Sequence, residues 1–220
     1  RDSSYLVIDS GEVTLSAALM AELSRAGVLV LGTDPKHLPA WMSLPWTAYH
    51  RGGDTLDLQM GASLPLKKRL WSRIVVAKIC EQARVLETRG QQDDGLALRQ
   101  MARGVKSGDP ENVEARAARR YWGSLFPGQT FRRHDDDFPN ALLNYGYALI
   151  RAALARQLAV GGFITQMGLH HHSVSNAYNL ADDLIEPLRA LADRFALRVL
   201  DEEAPDTGTM LSADHRRQLM

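Results

Sequence analysis

A single cysteine, Cys80, is all the thiol this chain carries. That excludes an internal disulfide and any multi-cysteine zinc site, and it accords with a reducing cytoplasm. The apolar helical stretch around Cys80 marks it as a core residue. No apolar run approaches the roughly 20 residues a membrane helix needs, so the expectation is a soluble, cytoplasmic protein with no membrane partner. There is no internal repeat and no low-complexity tract. Charge of either sign is not in excess: 26 Lys and Arg balance 26 Asp and Glu. The whole molecule therefore has no basic surplus to advertise nucleic-acid binding, and any such role must rest on local clusters. The chain also opens at Arg1 without a methionine or a signal-type segment, and an N-terminal strand or two is expected to precede it.

Local clusters are present. Lys67, Lys68, Arg69 and Arg73 sit together, as do Arg116, Arg119, Arg120, Arg132 and Arg133, with Arg151 and Arg156 further on. Solvated arginines are common on helical proteins, but the density from Arg116 to Arg133 is harder to dismiss. Tyr121 and Trp122 lie within it and offer rings that stack on a base or simply pack, with Tyr121 facing the core.

Tyr5 to Ile8 reads as a short strand, a helix capped by Thr14 or Ser16 follows and ends at Gly27, and Val28 to Leu31 reads as a second strand. Between Thr33 and Leu66, Pro35, Pro39, Pro45, Gly52, Gly53, Gly61 and Pro65 predict irregular connection with room for one more short strand. The domain boundary falls there. From Leu66 the pattern is helical: Leu66 to Thr88, Asp94 to Val105, a helix started by Asp109-Pro110 and running to Leu125, Pro139 to Val160, and Ala177 to Leu197 with a kink at Pro187. The fold class is α+β: residues 1–65 form a small β-rich unit and linker, and residues 66–220 a larger all-α domain.

Three residue types suited to a hard divalent ion occur in order. Glu114 shares a helix face with Ala117, Ala118, Tyr121 and Leu125, so its carboxylate points inward and must meet a cation, a metal, an arginine or the helix's own N-terminal dipole. His171 lies in the loop Leu169-His170-His171-His172 behind Gly168. Glu186 shares the polar face of the last helix with Asp182, Asp183, Arg189 and Asp193, and Asp183 is spaced to reach the same ion. Two carboxylates and an imidazole suit Mg²⁺ or Mn²⁺ better than a closed zinc site, which points to phosphodiester chemistry. Read singly, each has a plain structural alternative: a first-turn cap, a surface histidine, a solvated helix face.

Longer phrases carry a resemblance. Lys106 to Ala115, Ala118, Tyr121-Trp122, Leu125-Phe126, Phe131-Arg132-Arg133, Asn140 to Tyr147, Gly168 to His171, and Asn179 to Arg189 together resemble the CRISPR-associated adaptation integrase family, Cas-one, in its type II wording. They cover about half the chain in the family's order. The resemblance implies that Glu114, His171 and Glu186 are the metal ligands and catalytic residues, with Asp183 an acidic neighbour, and that Mg²⁺ or Mn²⁺ is the cofactor. His171 is preferred to His170 because the family's ligand follows the glycine by three. Departures at His172, Val174 and Ala190 remove no ligand.

The same resemblance implies a dimerising β-rich N-terminal domain and a helical catalytic domain. It implies insertion of short foreign DNA into a CRISPR array by attack of a 3′-OH on a phosphodiester. The expected partners are double-stranded DNA of the spacer precursor and the repeat, a second copy of the chain, and the small protein Cas-two in a heterohexamer. Type II systems add an adaptation subunit and the effector nuclease. Arg119, Arg120, Arg132, Arg133, Tyr121 and Trp122 are the candidate DNA contacts. Two rival readings are a non-catalytic DNA-binding subunit of an adaptation complex and a histidine-aspartate metal phosphohydrolase built on His134-Asp135.

Overall fold

The computed structural model describes residues 5–33, 35, 39–43, 52–126, 131–133, 135–202, 211 and 215–217. His134, and with it the histidine-aspartate doublet, lies outside them. Three strands, β1 (Tyr5–Ile8), β2 (Leu29–Thr33) and β3 (Pro39–Ser43), form one sheet in that order. β1 and β2 run parallel and β2 and β3 antiparallel. Helix α1 (Ala17–Arg25) makes the parallel crossover: the Ser16 hydroxyl accepts the Leu19 N–H at 3.1 Å, and Gly27, at φ +69°, ends it.

The connection to the helices contains α2 (Gly52–Met60), which the glycines and prolines there had disguised as irregular chain. Its Gln59 amide is the reason for its placement. Gln59 Nε2 donates to the carbonyls of Ile164 and Met167 at 2.9 and 3.1 Å, and Oε1 accepts the Ile164 N–H at 2.9 Å. Tertiary bonds to a distant loop thus complete what local propensity leaves undecided.

α3 (Leu64–Thr88) is the central helix. Ser63 caps it, and its buried stripe is Trp71, Val75, Ile79, Gln82, Ala83, Val85 and Leu86. α4 (Gln92–Arg103) folds back on it through Gly90 at φ +81°, and α5 (Val113–Leu125) packs across both, placing Leu98, Ala117 and Tyr121 in one core. α5 does not start at Pro110. Asp109 and Asn112 are both left-handed, at φ +49°, and the helix begins at Val113. Asp109 still caps it, its carboxylate accepting the Val113 and Glu114 N–H groups at 2.9 and 3.0 Å.

α6 (Phe138–Val160) joins the two parts of the molecule. Leu142, Leu143 and Tyr147 pack on the C-terminal helix, while Ala152 meets Leu31, Val7 and Met42 of the sheet, and Arg156 Nε donates to the Gly27 carbonyl at 2.7 Å. The last helix is broken at Pro187 as expected. It comprises α7 (Asn179–Leu184), a 3-10 turn Glu186–Leu188, and α8 (Arg189–Glu202). No helix among the described residues is long and apolar enough to cross a membrane.

Candidate metal and phosphodiester site

The first turn of α5 aims Glu114 at α3, and the 3-10 turn created by Pro187 aims Glu186 at the same place. Between them stands Lys78. Its Nζ lies 2.6 Å from Glu114 Oε1 and 2.5 Å from Glu186 Oε2. All three side chains are largely buried, at 12% exposed for Lys78, 23% for Glu114 and 7% for Glu186. Arg189 Nε donates to Glu186 Oε1 at 3.0 Å. The close Lys78 contact is not aligned as a hydrogen bond, and Glu186 Oε2 is buried with no hydrogen-bond partner. Its charge is met there by the Lys78 ammonium, so the oxygen has an ionic partner though no aligned hydrogen bond.

His171 is positioned by Asp183 instead. Asp183 is fully buried; its Oδ2 accepts the N–H groups of Leu169 and His170 at 2.5 and 3.0 Å, and its Oδ1 accepts the His171 N–H at 3.1 Å and lies 2.7 Å from His171 Nδ1. Gly168 is needed here because a Cβ would lie 2.4 Å from the His171 carbonyl oxygen and 2.8 Å from Asp183 Oδ2. The bond to Asp183 raises the pKa of His171, burial opposes it, and the charges of Asp183, Glu186 and Asp182 add to the rise. Burial pushes Asp183 up, but the imidazole and the backbone donors outweigh it and hold its pKa below the usual value. Nδ1 is thereby committed, which leaves Nε2 as the ring's other ligating atom. His170 stacks on Trp71 with centroids 4.2 Å apart, a packing role that leaves His171 as the candidate.

The structure therefore brings Glu114 and Glu186 together at Lys78 and sets His171 on Asp183. Among the described residues, no three His, Cys, Asp or Glu side chains are arranged to hold one ion. Asp183, whose spacing would let it reach the same ion as Glu186, spends both oxygens on the histidine loop and stands as an acidic neighbour. The solvated-face alternative for these acids is excluded as well. Asp183, Glu186 and Asp193 are all buried, on either side of the break at Pro187.

Beside Glu186 opens a pocket of about 170 Å³ whose walls include Lys78, Gln82, Trp122, Arg133, Arg189 and Asp193. Asp193 accepts the Tyr121 hydroxyl at 2.7 Å and the Tyr147 hydroxyl. Burial raises its pKa to about 6, the tyrosine bonds and the Arg189 and Arg133 charges pulling the other way. Tyr121 is thus removed from the candidate DNA contacts: it is wholly buried and its hydroxyl is spent on Asp193. Trp122 is half-buried against Phe126 and Phe131, with the Arg133 guanidinium 5.9 Å from its ring centroid. Arg133 also donates to Asn140 and Asn144 at 2.9 and 2.7 Å, which fixes it at the pocket. Arg119 and Arg132 are exposed, whereas Arg120 is paired with Asp94 at 2.7 Å.

Lys78 and Gln82 escaped the sequence reading although the signal was there. They recur at helical spacing with Trp71 and Val75, polar residues on an apolar stripe, as Glu114 is on α5.

A family model described as CRISPR associated protein Cas1 matches residues 4–219. A CRISPR-associated endonuclease Cas1 of Neisseria meningitidis serogroup C (strain 8013) is 42% identical over 202 residues, 92% of this chain, and the chain spans 66% of that relative's length. Among solved structures, a casposase bound to integration product superposes with a TM-score of 0.81 at 22% identity, over 100% of this chain and 69% of the casposase chain. A partial Cas6-RT-Cas1–Cas2 complex superposes with a TM-score of 0.65 at 20% identity, over 98% of this chain and 74% of its own.

Proposed function

The chain belongs to the Cas1 family, and on that premise we propose that it is the catalytic subunit of CRISPR adaptation, a metal-dependent DNA endonuclease and integrase. The observation that carries this reading is the convergence of Glu114 and Glu186, from two separate elements, on one cationic position. The donor set fits Mg²⁺ or Mn²⁺: two hard carboxylates, one oxygen of which has no hydrogen-bond partner, and an imidazole oriented by a carboxylate. Glu114, Glu186 and His171 would hold the ion. When bound, it supplies Lewis-acid polarisation of a phosphodiester and charge neutralisation at the leaving oxygen.

The chain's own side chains do the rest. Arg189 and Arg133 line the wall beside Glu186 and present guanidinium groups to phosphate oxygens, and Trp122 offers a ring edge to a splayed base. The reaction is transesterification: the 3′ oxygen of the incoming strand forms a P–O bond at the repeat boundary as the bond to the repeat strand's own 3′ oxygen breaks. Exposed Arg116, Arg119 and Arg132 then track backbone and carry no sequence information. In this reading residues 66–220 are the catalytic domain and residues 1–65 a dimerisation domain and linker. The partners are double-stranded DNA, a second copy of the chain and the small adaptation protein Cas2, joined in type II systems by a further adaptation subunit and the effector nuclease, in the cytoplasm.

The test is a strand-transfer assay with Mg²⁺ or Mn²⁺ and the partner protein. Glu114→Ala, His171→Ala and Glu186→Ala are each expected to abolish transfer while leaving the fold and DNA binding in place. Full activity in Glu114→Ala overturns the assignment, and DNA binding without transfer under any divalent ion favours a binding-only subunit.

A further inference from the structure

Lys78 stands one helical turn from a second buried acceptor. Its ammonium now stands between Glu114 and Glu186, 2.6 and 2.5 Å from their oxygens. One helical turn on, on the same face of α3, Gln82 is 6% exposed and its Oε1 is buried with no hydrogen-bond partner. Lys78 and Gln82 both line the pocket of about 170 Å³ beside Glu186. An acceptor buried without a donor is costly, and an ammonium carries three donors. The spacing of i and i+4 places it within reach.

We propose that Lys78 is a positioning residue that works as an exchangeable internal cation. Without metal it neutralises the paired carboxylates; when a divalent ion enters, the ammonium moves to Gln82 Oε1 on the pocket wall, next to Arg133 and Arg189. The inference rests on the metal-dependent reading above. Its energetic logic is that Glu114 and Glu186 could not face each other buried and ionised without a cation between them, so the site keeps one of its own until a metal replaces it. Metal loading is then an exchange of cations rather than entry into a vacant site. The displaced charge stays within the pocket and joins the two guanidinium groups that face a phosphate.

Isothermal titration with Mn²⁺, and melting in EDTA against melting in Mn²⁺, test this on the purified chain without reference to activity. Lys78→Met is expected to bind Mn²⁺ about tenfold more tightly and to melt lower in EDTA, because a competing cation is gone. Lys78→Arg keeps a cation and is expected to show no gain. Gln82→Leu is expected to weaken Mn²⁺ binding about threefold with Lys78 present and to have no effect in the Lys78→Met background, since the Gln82 amide acts only through the displaced ammonium. Should Lys78→Met fold only when Mn²⁺ is supplied, the exchange is supported in its strongest form. Should it fail to fold with or without Mn²⁺, Lys78→Gln decides, and wild-type affinity there overturns the proposal. Unchanged or weaker Mn²⁺ binding in Lys78→Met overturns it as well, as does an equal Gln82→Leu effect in both backgrounds. Absence of Mn²⁺ binding in the unmutated chain instead overturns the metal reading on which it stands.

Discussion

Asp183 and Glu186 stand three residues apart on either side of one helix break, both buried, both carboxylates, and they are used in opposite ways. Asp183 is saturated: the N–H groups of Leu169, His170 and His171 and the His171 ring all converge on it. Glu186 has one aligned donor, Arg189, while its Oε2 is left facing an ammonium without a hydrogen bond. The first arrangement is what a structural acid looks like, since nothing remains for a ligand to satisfy. The second is what a binding acid looks like. Spacing makes the two residues equivalent, and only their bonding separates them.

The matched amides Asp183→Asn and Glu186→Gln should break that symmetry, and theirs are the largest effects expected. Glu186→Gln removes a charge where a metal is wanted, so strand transfer should fall about 10³-fold or more, with stability within about 1 kcal/mol of the parent in EDTA. Asp183→Asn must turn an NH₂ toward backbone N–H donors, because both its oxygens accept them. A loss of about 3 kcal/mol in urea unfolding is expected, with activity falling only as the His171 loop loosens. Equal stability losses in the two variants would dissolve the distinction.

Much of this was legible beforehand, and the reasons are physical. Apolar recurrence located α3, α5 and α6, since a core-facing stripe fixes a helix whatever surrounds it. Pro187 announced the break beside Glu186. What could not be read was bonding between distant segments: the Gln59 amide that recruits α2, the Asp183 bonds that hold the histidine loop, and the Lys78 bridge. Asp183 and Glu186 carry the same periodicity and nearly the same chemistry, so their difference exists only once the loop and α3 arrive. Tyr121 shows the converse case. Its position on the core face was readable, but the partner for its hydroxyl, Asp193, is 72 residues away.

Stability against pH sharpens the contrast along the same broken helix. Asp193 on α8 has its pKa raised to about 6 by burial, so its folded form favours the proton. The stability it contributes is fully present below the unfolded value near 3.8 and is lost as pH rises through about 6, a swing of roughly 3 kcal/mol at most. Asp183 has the opposite sign. Its pKa is lowered, so its contribution is present above 3.8 and is lost as pH falls through the folded value. Urea midpoints from pH 4 to 8 should therefore show a flatter decline above pH 5 in Asp193→Asn than in the parent. Asp183→Asn should retain that decline. A parent and Asp193→Asn with parallel profiles would mean that burial does not hold a proton on Asp193.

Spent and unspent groups can also be compared at the surface, where the smallest effects are expected. Arg120 is bound to Asp94 at 2.7 Å on the outer face of α5, while its neighbour Arg119 is exposed. An exposed ion pair is worth only about 0.2–1 kcal/mol, so neither Arg119→Ala nor Arg120→Ala should move stability by more than about 0.5 kcal/mol. DNA affinity measured by fluorescence anisotropy from 50 to 200 mM salt should still separate them. Arg119→Ala is expected to reduce the salt slope by about one unit, the loss of one phosphate contact. Arg120→Ala should change it less, because Asp94 already neutralises that guanidinium and its release must precede any phosphate contact. Equal slopes for the two variants would mean that DNA outcompetes Asp94, and the rule that separates Asp183 from Glu186 would then hold only where burial protects the pairing.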